Sequence, residues 1–116
     1  MDKKTIIADF YTKESVQYSR KRYEGELNTY TQYLFRRRMN IYFDFLRYIK
    51  SNVNNKISLF DIGCADGVVL FNTENMFSSM ISSYTAVDIS SGMIDVANNN
   101  KPNDKFSFYL RGKEPS

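Results

Sequence analysis

Apolar positions recur at helical spacing along the first half of this chain, then gather into short runs bounded by glycine, serine and asparagine along the second half. The pattern predicts helices first and a strand-helix alternation afterwards. Residues 13–24 and 28–51 read as two helices separated by Gly25. On a wheel of about 100° per residue, the second helix places Leu27, Leu34, Ile41, Phe45 and Ile49 on one face, widened by Phe35, Tyr42 and Leu46. Arg36, Asn40, Asp44 and Arg47 fall opposite. Arg38 is the exception, at the centre of the apolar stripe, whereas Arg36 and Arg37 point away. A guanidinium keeps its charge, so on the core side it needs either a carboxylate partner or a route for its head to water.

The second half has a different rhythm. Ile57 to Ile62 is apolar, rich in β-favouring residues and short enough for a strand buried on both faces. Gly63 and Gly67 punctuate the turn that follows, and a helix is expected to start near Asp66 with free N–H groups facing that turn. A second strand ends in Tyr84-Thr-Ala-Val-Asp88. Ser90 or Ser91 then caps a helix with Met93, Ile94 and Ala97 on its buried side. The tract 98–103 reads as a polar loop, and Phe106, Phe108 and Leu110, alternating with Ser107 and Tyr109, predict a third strand over 105–110. Ligands of open α/β sheets bind beyond the carboxyl ends of the strands, where Asp61, the 63–67 turn and Asp88 all lie.

Charge narrows the ligand. A dinucleotide fingerprint, G-x-G-x-x-G, lays a pyrophosphate over its glycines. Here Ala65 takes the place of the second glycine, Val68 that of the third, and Asp61 and Asp66 flank the position of the phosphates. Like charges there are unfavourable. A ligand with cationic groups and ribose hydroxyls suits the acids better. Asp88 lies 21 positions beyond Gly67, close to the separation expected of an acid that accepts from ribose hydroxyls. Asp66 stands where a helix cap belongs, so capping and ligand contact both remain open. Cys64 is the single cysteine, and with no histidine to activate it the thiol reads as a small packed side chain.

Leu59-Phe-Asp-Ile-Gly-Cys-Ala-Asp-Gly67 and Tyr84-Thr-Ala-Val-Asp88 together resemble the nucleotide-binding half of the class I S-adenosylmethionine-dependent methyltransferases. In that family the first strand runs into an acid-x-Gly-x-x-x-Gly turn and the second ends in an acid. The resemblance implies an α/β fold: N-terminal helices followed by the first three strands of a Rossmann-like sheet that has seven in a complete member, and therefore a truncated domain. Residues 1–56 would form a helical lid and 57–116 a partial cofactor-binding domain. The implied cofactor is S-adenosyl-L-methionine, held by Asp61, Gly63, Cys64, Ala65, Gly67, Asp88 and Ile89, with Arg38 facing either a cradle acid or the cofactor's carboxylate. The implied reaction is an in-line methyl transfer to a small-molecule acceptor, which relies mainly on positioning. No catalytic residue and no metal site is assigned. The alternative is a noncatalytic or regulatory module that binds the cofactor and lacks the substrate half.

Composition changes this picture little. With 42% hydrophobic and 25% charged residues the chain is ordinary for a globular domain, and it has no apolar run long enough for a bilayer. Met1-Asp-Lys-Lys lacks the apolar core of a secretion signal, so a cytoplasmic location is expected. The net charge of +3 concentrates in Arg20-Lys-Arg22 and Arg36-Arg-Arg38, and nine tyrosines and nine phenylalanines crowd the chain. A nucleic-acid partner would use such residues. The surplus is small, however, and solvated helix faces commonly carry such clusters. If the sheet stops at three strands, the first strand is left as an edge. Its cover is then expected from self-association, strand exchange or docking of the N-terminal helices.

Overall fold

The computed structural model of the chain describes residues 2–24, 27 and 29–115; the expected hinge at Gly25 lies outside them. Helix α1 (Lys3–Glu14) is capped by Asp2, whose carboxylate accepts from the Thr5 N–H at 2.8 Å. A 3-10 turn over Ser15–Gln17 leads into the short α2 (Tyr18–Tyr23), and the long α3 spans Tyr30–Asn52. Then follow β1 (Ile57–Ile62), α4 (Val68–Phe77), β2 (Ile81–Asp88), α5 (Ser91–Asn100) and β3 (Phe106–Leu110). The sheet is parallel throughout, in the order β1-β2-β3. Its register sets Leu59, Tyr84 and Phe106 in one row and Asp61, Ala86 and Phe108 in the next.

Leu59, Tyr84 and Phe106 begin the face that α3, α4 and α5 cover. The Tyr84 and Phe106 rings stack at 4.3 Å, and Phe71 of α4 meets Phe106 edge-on at 5.1 Å. Glu74 of α4 is buried among them, accepting from Tyr84 Oη at 3.0 Å, Asn103 Nδ2 at 2.8 Å and Lys105 Nζ at 3.1 Å. One carboxylate thus ties α4 to β2 and to the approach of β3. The Ser90 hydroxyl caps α5 at the Met93 N–H, and Met93, Ile94 and Ala97 are buried as their spacing requires. The helix runs to Asn100, taking in the start of the expected polar loop, because the exposed Asn98–Asn100 turn completes it.

The N-terminal half departs further from the sequence pattern. Where one helix was expected over 13–24 there are two, with α1 starting at Lys3. No α1 residue is buried, so its sequence has no apolar stripe to betray it. It is held instead by a close approach to α5, where Thr12 Oγ1 and Ser90 Oγ lie 2.6 Å apart and a side chain at Gly92 would meet Thr12 and Ser15 at 2.9 Å.

Helix α3 starts at a capping box between Thr29 and Gln32 and buries Phe43 and Leu46, with Met39, Tyr42 and Ile49 beside them. Ile41 is 56% and Phe45 59% exposed, and Leu27 precedes the helix. The helix is therefore turned by about a quarter relative to the expected wheel. The cause is α4, which meets it through Phe43 against Phe77, Tyr42 near Thr73 and Met39 near Asn72.

Strand β1 also differs from expectation. It is covered on one face only, leaving Phe60 60% and Ile62 69% exposed. Among the described residues no helix is long and apolar enough to cross a membrane.

Candidate cofactor site

The turn between β1 and α4 is built from residues in the left-handed region. Gly63 (φ +82°), Ala65 (φ 51°) and Gly67 (φ +84°) fold it back across the end of the sheet. Gly63 and Cys64 N–H groups both donate to Val87 O, at 2.8 and 3.0 Å, so the turn is fastened to β2. The two glycines serve different ends. A Cβ at Gly67 would press on Phe71 at 2.9 Å and Phe108 at 3.2 Å, whereas one at Gly63 would point into open space. Gly67 is needed for packing, and Gly63 leaves the backbone open to a ligand.

Asp88 links the two motifs. One carboxylate oxygen accepts from the Ala65 N–H and the other from the Ser90 N–H, each at 2.9 Å. A carboxylate offers about four lone-pair directions, so both oxygens retain capacity for a ligand hydroxyl. Asp66 is committed elsewhere. It is buried, accepts from the Val68 N–H at 3.2 Å and takes a short hydrogen bond from Ser19 Oγ of α2. Its role is to fasten the start of α4 to α2. Burial raises its pKa, against the lowering effect of those hydrogen bonds.

Asp61 differs from both. It is half-buried at the end of β1, and among the described residues nothing donates a hydrogen bond to its side chain. Burial, and then the nearby Asp88, push its pKa up. Cys64 is buried, and burial followed by Asp88 and Asp61 pushes its thiol pKa up, away from the thiolate a nucleophile needs. Among the described residues no cluster of acids or cysteines is arranged to hold a metal ion.

Two cavities share this turn in their linings. One, of about 410 Å³, contains Asp61 and Cys64 with Arg38, Met39 and Tyr42 of α3 and Tyr23 of α2. The other, of about 340 Å³, contains Asp88, Ile89 and Met93 with Tyr11 and Arg111. Tyr18, Phe35, Gly63 and Ala65 line both. Of the residues singled out in the sequence, Asp61, Cys64 and Arg38 thus fall at one end, Ile89 and Asp88 at the other, and Gly63 and Ala65 between them. Gly67 lines neither.

Arg38 reaches this site without the expected ion pair. It faces the cavity of Asp61, with its guanidinium carbon 5.8 Å from the Phe35 ring centroid, but among the described residues no carboxylate lies within salt-bridge distance. The quarter-turn of α3 accounts for this, since it moves Arg38 from the core to the rim. Arg36, expected in solvent, is half-buried and donates to Glu24 O at 2.9 Å.

Of the aromatic wall, Tyr11 and Tyr18 were not singled out by sequence reasoning, whereas Tyr23, beside Arg22, was expected to face the turn. Tyr18 packs under Arg22, whose guanidinium carbon is 4.1 Å from the ring centroid, and Arg22 in turn pairs with Glu14 at 3.1 Å. Burial raises the pKa of Tyr18 and of Tyr23. Their helical spacing was visible in the sequence, but it fits a core as well as a cavity wall.

No known protein-family profile matches the chain, and no curated protein matches it. Solved structures do. The chain is similar to magnesium protoporphyrin IX methyltransferase (ChlM) from Synechocystis PCC 6803 with bound SAM (S-adenosylmethionine), at a TM-score of 0.69 and 16% identity over 94% of this chain and 54% of that one. It is similar to the plantazolicin methyltransferase BpumL, crystallised with SAH (S-adenosylhomocysteine), at a TM-score of 0.55 and 21% identity over 91% of this chain and 38% of that one. The [4+2]-cyclase SpnF aligns at a TM-score of 0.59 and 10% identity over 94% of this chain and 42% of that one. The fold is therefore that of the Rossmann-like methyltransferases, with helices leading into three parallel strands. The chain spans about half the length of ChlM, or less in the other two.

Proposed function

We propose that the chain binds S-adenosylmethionine and forms the cofactor-binding part of a methyltransferase acting on a small-molecule acceptor. One observation carries this reading: of two cavities that share the 63–67 turn in their linings, one has an unengaged acid and an arginine and the other an anchored acid. Asp61 and Arg38 match the ammonium and carboxylate of an amino acid, and Asp88 matches a ribose diol. The open side of Gly63 admits a ligand between them.

Electrostatics support the fit. Asp88 disfavours the charge on Asp61 across this end of the sheet, which a cationic ligand would relieve and a pyrophosphate would aggravate. When bound, the cofactor supplies a methyl group on a sulfonium, an electrophile that needs alignment more than activation. Ile89 and Met93 give the far cavity apolar surface for a base, and Tyr18 and Phe35 shield the middle from water.

The second reading is a noncatalytic cofactor-binding module. The likeness to SpnF, a cyclase, supports only the coarser point that this fold is not confined to methyl transfer. Titration calorimetry with S-adenosylmethionine, S-adenosylhomocysteine and NAD tests the binding claim. Saturable binding of the first two and weaker binding of NAD are expected, and tighter NAD binding would overturn the charge argument. Turnover of an added acceptor separates methyltransferase from module.

A further inference from the structure

Residues 11–23 cross both of the turns that carry the site's acids, and one hydroxyl ties them to each. On the first side, Thr12 Oγ1 lies 2.6 Å from Ser90 Oγ and accepts from the Gly92 N–H at 3.4 Å. Ser90 is the residue whose N–H donates to Asp88. On the other side, Ser19 Oγ donates to Asp66, which accepts from the Val68 N–H at the start of α4. Between these ties the segment supplies cavity wall: Tyr11 to the cavity of Asp88, Tyr23 to that of Asp61, and Tyr18 to both. That residues 1–56 form a lid is what the family resemblance implies; its fastening to both acid-bearing turns is read from these contacts alone.

The segment is one piece. Arg22 pairs with Glu14 at 3.1 Å and lies over the Tyr18 ring, which locks α2 to α1 across the 3-10 turn. The far end of α2 is tied to α3, where Gln32 Nε2 donates to Lys21 O at 3.0 Å and Arg36 donates to Glu24 O. That end is the pivot, and the Thr12 and Ser19 contacts are the ones that break when the segment swings. It is also lightly held. Helices α1 and α2 bury no residue, whereas α3, α4 and α5 each bury two or more. Elements with so little buried surface open at the least cost.

Gly92 shows how closely the segment is seated. It is the second residue of α5, has no left-handed backbone to accommodate, and lines neither cavity. A Cβ there would meet the Thr12 carbonyl oxygen, Thr12 Cγ2 and Ser15 Oγ, each at 2.9 Å. Alanine is the better helix former. For α5 alone the glycine is a loss, and what it provides is the seat for α1.

Resting on the cofactor reading above, we infer that Thr12 and Ser19 are positioning residues for the cofactor and that residues 11–23 form a strap whose closure is coupled to its binding. Through Ser90 the closed strap fixes the N–H that orients Asp88, and through Asp66 it fixes the start of α4 beside the 63–67 turn. A ligand held by those turns favours the closed strap. The closed strap then favours the ligand by the same factor.

Titration calorimetry with S-adenosylhomocysteine, paired with amide exchange of residues 12–23 in free and ligand-bound protein, tests this. Ser19→Ala and Thr12→Val should each weaken binding about three- to tenfold, the measure of one lost hydrogen bond. Thr12→Ser keeps the hydroxyl and should bind as the parent does. Gly92→Ala favours the α5 helix itself and touches neither cavity, yet it should weaken binding as well, because α1 must back away from the new methyl. Ligand should slow exchange across the strap of the parent several-fold, and each weakening variant should speed it in the free protein with the circular dichroism unchanged. Unchanged affinity in all three variants overturns the inference, as does strap exchange that ligand leaves untouched. A Thr12→Ser protein as weak as Thr12→Val also overturns it, since the contact would then be packing alone. A parent that binds no S-adenosylhomocysteine overturns the cofactor reading itself, whereas a parent that binds, with its variants unaffected, overturns only the coupling.

Discussion

Glu74 and Asp61 are acids some way apart on the covered side of one small sheet, and they have opposite relations to the fold. Glu74 is surrounded by donors. Burial pushes its pKa up, but hydrogen bonds from Lys105, Asn103 and Tyr84 outweigh burial and hold the carboxyl below its ordinary range. Asp61 is half-buried with no donor to its side chain among the described residues, and its pKa is raised. Folding satisfies Glu74 and leaves Asp61 unsatisfied. Perturbed groups of the second kind mark functional sites more often than those of the first.

The largest effect should come from breaking the satisfied acid. Glu74→Ala removes the acceptor of three donors in the core and should cost about 2–3 kcal/mol of unfolding free energy. Chemical denaturation measures this. S-adenosylhomocysteine affinity, measured on the folded fraction, should barely change, and a parallel loss of affinity would dissolve the distinction between the two regions.

Asp88 combines both roles, so Asp88→Ala should weaken the cofactor by roughly 1.5–3 kcal/mol, through a lost charge-assisted bond and a loosened turn. Calorimetry alongside denaturation separates the two contributions. Unchanged affinity would remove Asp88 from the site.

The two glycines divide similarly. Gly67→Ala should cost about 1–3 kcal/mol in stability, from its left-handed backbone and the collision with Phe71 and Phe108. Gly63→Ala carries only the backbone strain, about 1 kcal/mol, and should instead lower ligand affinity, because its methyl would occupy the open side of the turn. Equal effects on stability would show that Gly63 also serves packing.

The smallest effect has a reversed sign. Because the folded-state pKa of Asp61 lies above its unfolded value of 3.8, its charged form opposes folding, and stability from this group falls as pH rises through that window. Asp61→Asn should therefore raise the thermal midpoint of the free protein at neutral pH by about 1–3 °C, a gain that vanishes as the pH falls toward 3.8. Glu74→Gln should do the reverse, being less stable than the parent at neutral pH, with the gap closing as the pH falls through 4.5 and below. Thermal melts from pH 3 to pH 7 would show both curves. A destabilised Asp61→Asn protein at neutral pH would mean that Asp61 has a structural partner.

The strands, the 63–67 turn and α5 were legible in the sequence because local pattern decides them. Glycines at left-handed positions, a serine cap before Met93, and Phe106 and Phe108 alternating with polar residues each have one structural solution. The helices were less legible because tertiary packing decides them. Helix α3 carries two adjoining apolar stripes, Leu34-Ile41-Phe45 and Met39-Phe43-Leu46, and only the position of α4 chooses between them. Choosing the first set Arg38 in the core with an expected carboxylate partner; the structure puts it at the cavity rim. Helix α1 has no buried side chain, so periodicity could not find it. At the site, sequence spacing brought out the acids, whereas Tyr11, Tyr18 and Arg111 became visible only once the chain was folded around the turn.

The central claim is that one ligand spans the two cavities on either side of the 63–67 turn, and amide chemical shifts test it most directly. Titration with S-adenosylhomocysteine should move the resonances of Asp61 and Cys64 at one end and of Ser90 and Ile89 at the other, with a single saturation curve. Methylthioadenosine, which lacks the amino-acid part, should move only the Ser90 and Ile89 set. Shifts confined to one end with S-adenosylhomocysteine, or no saturable shift at either, would contradict the account.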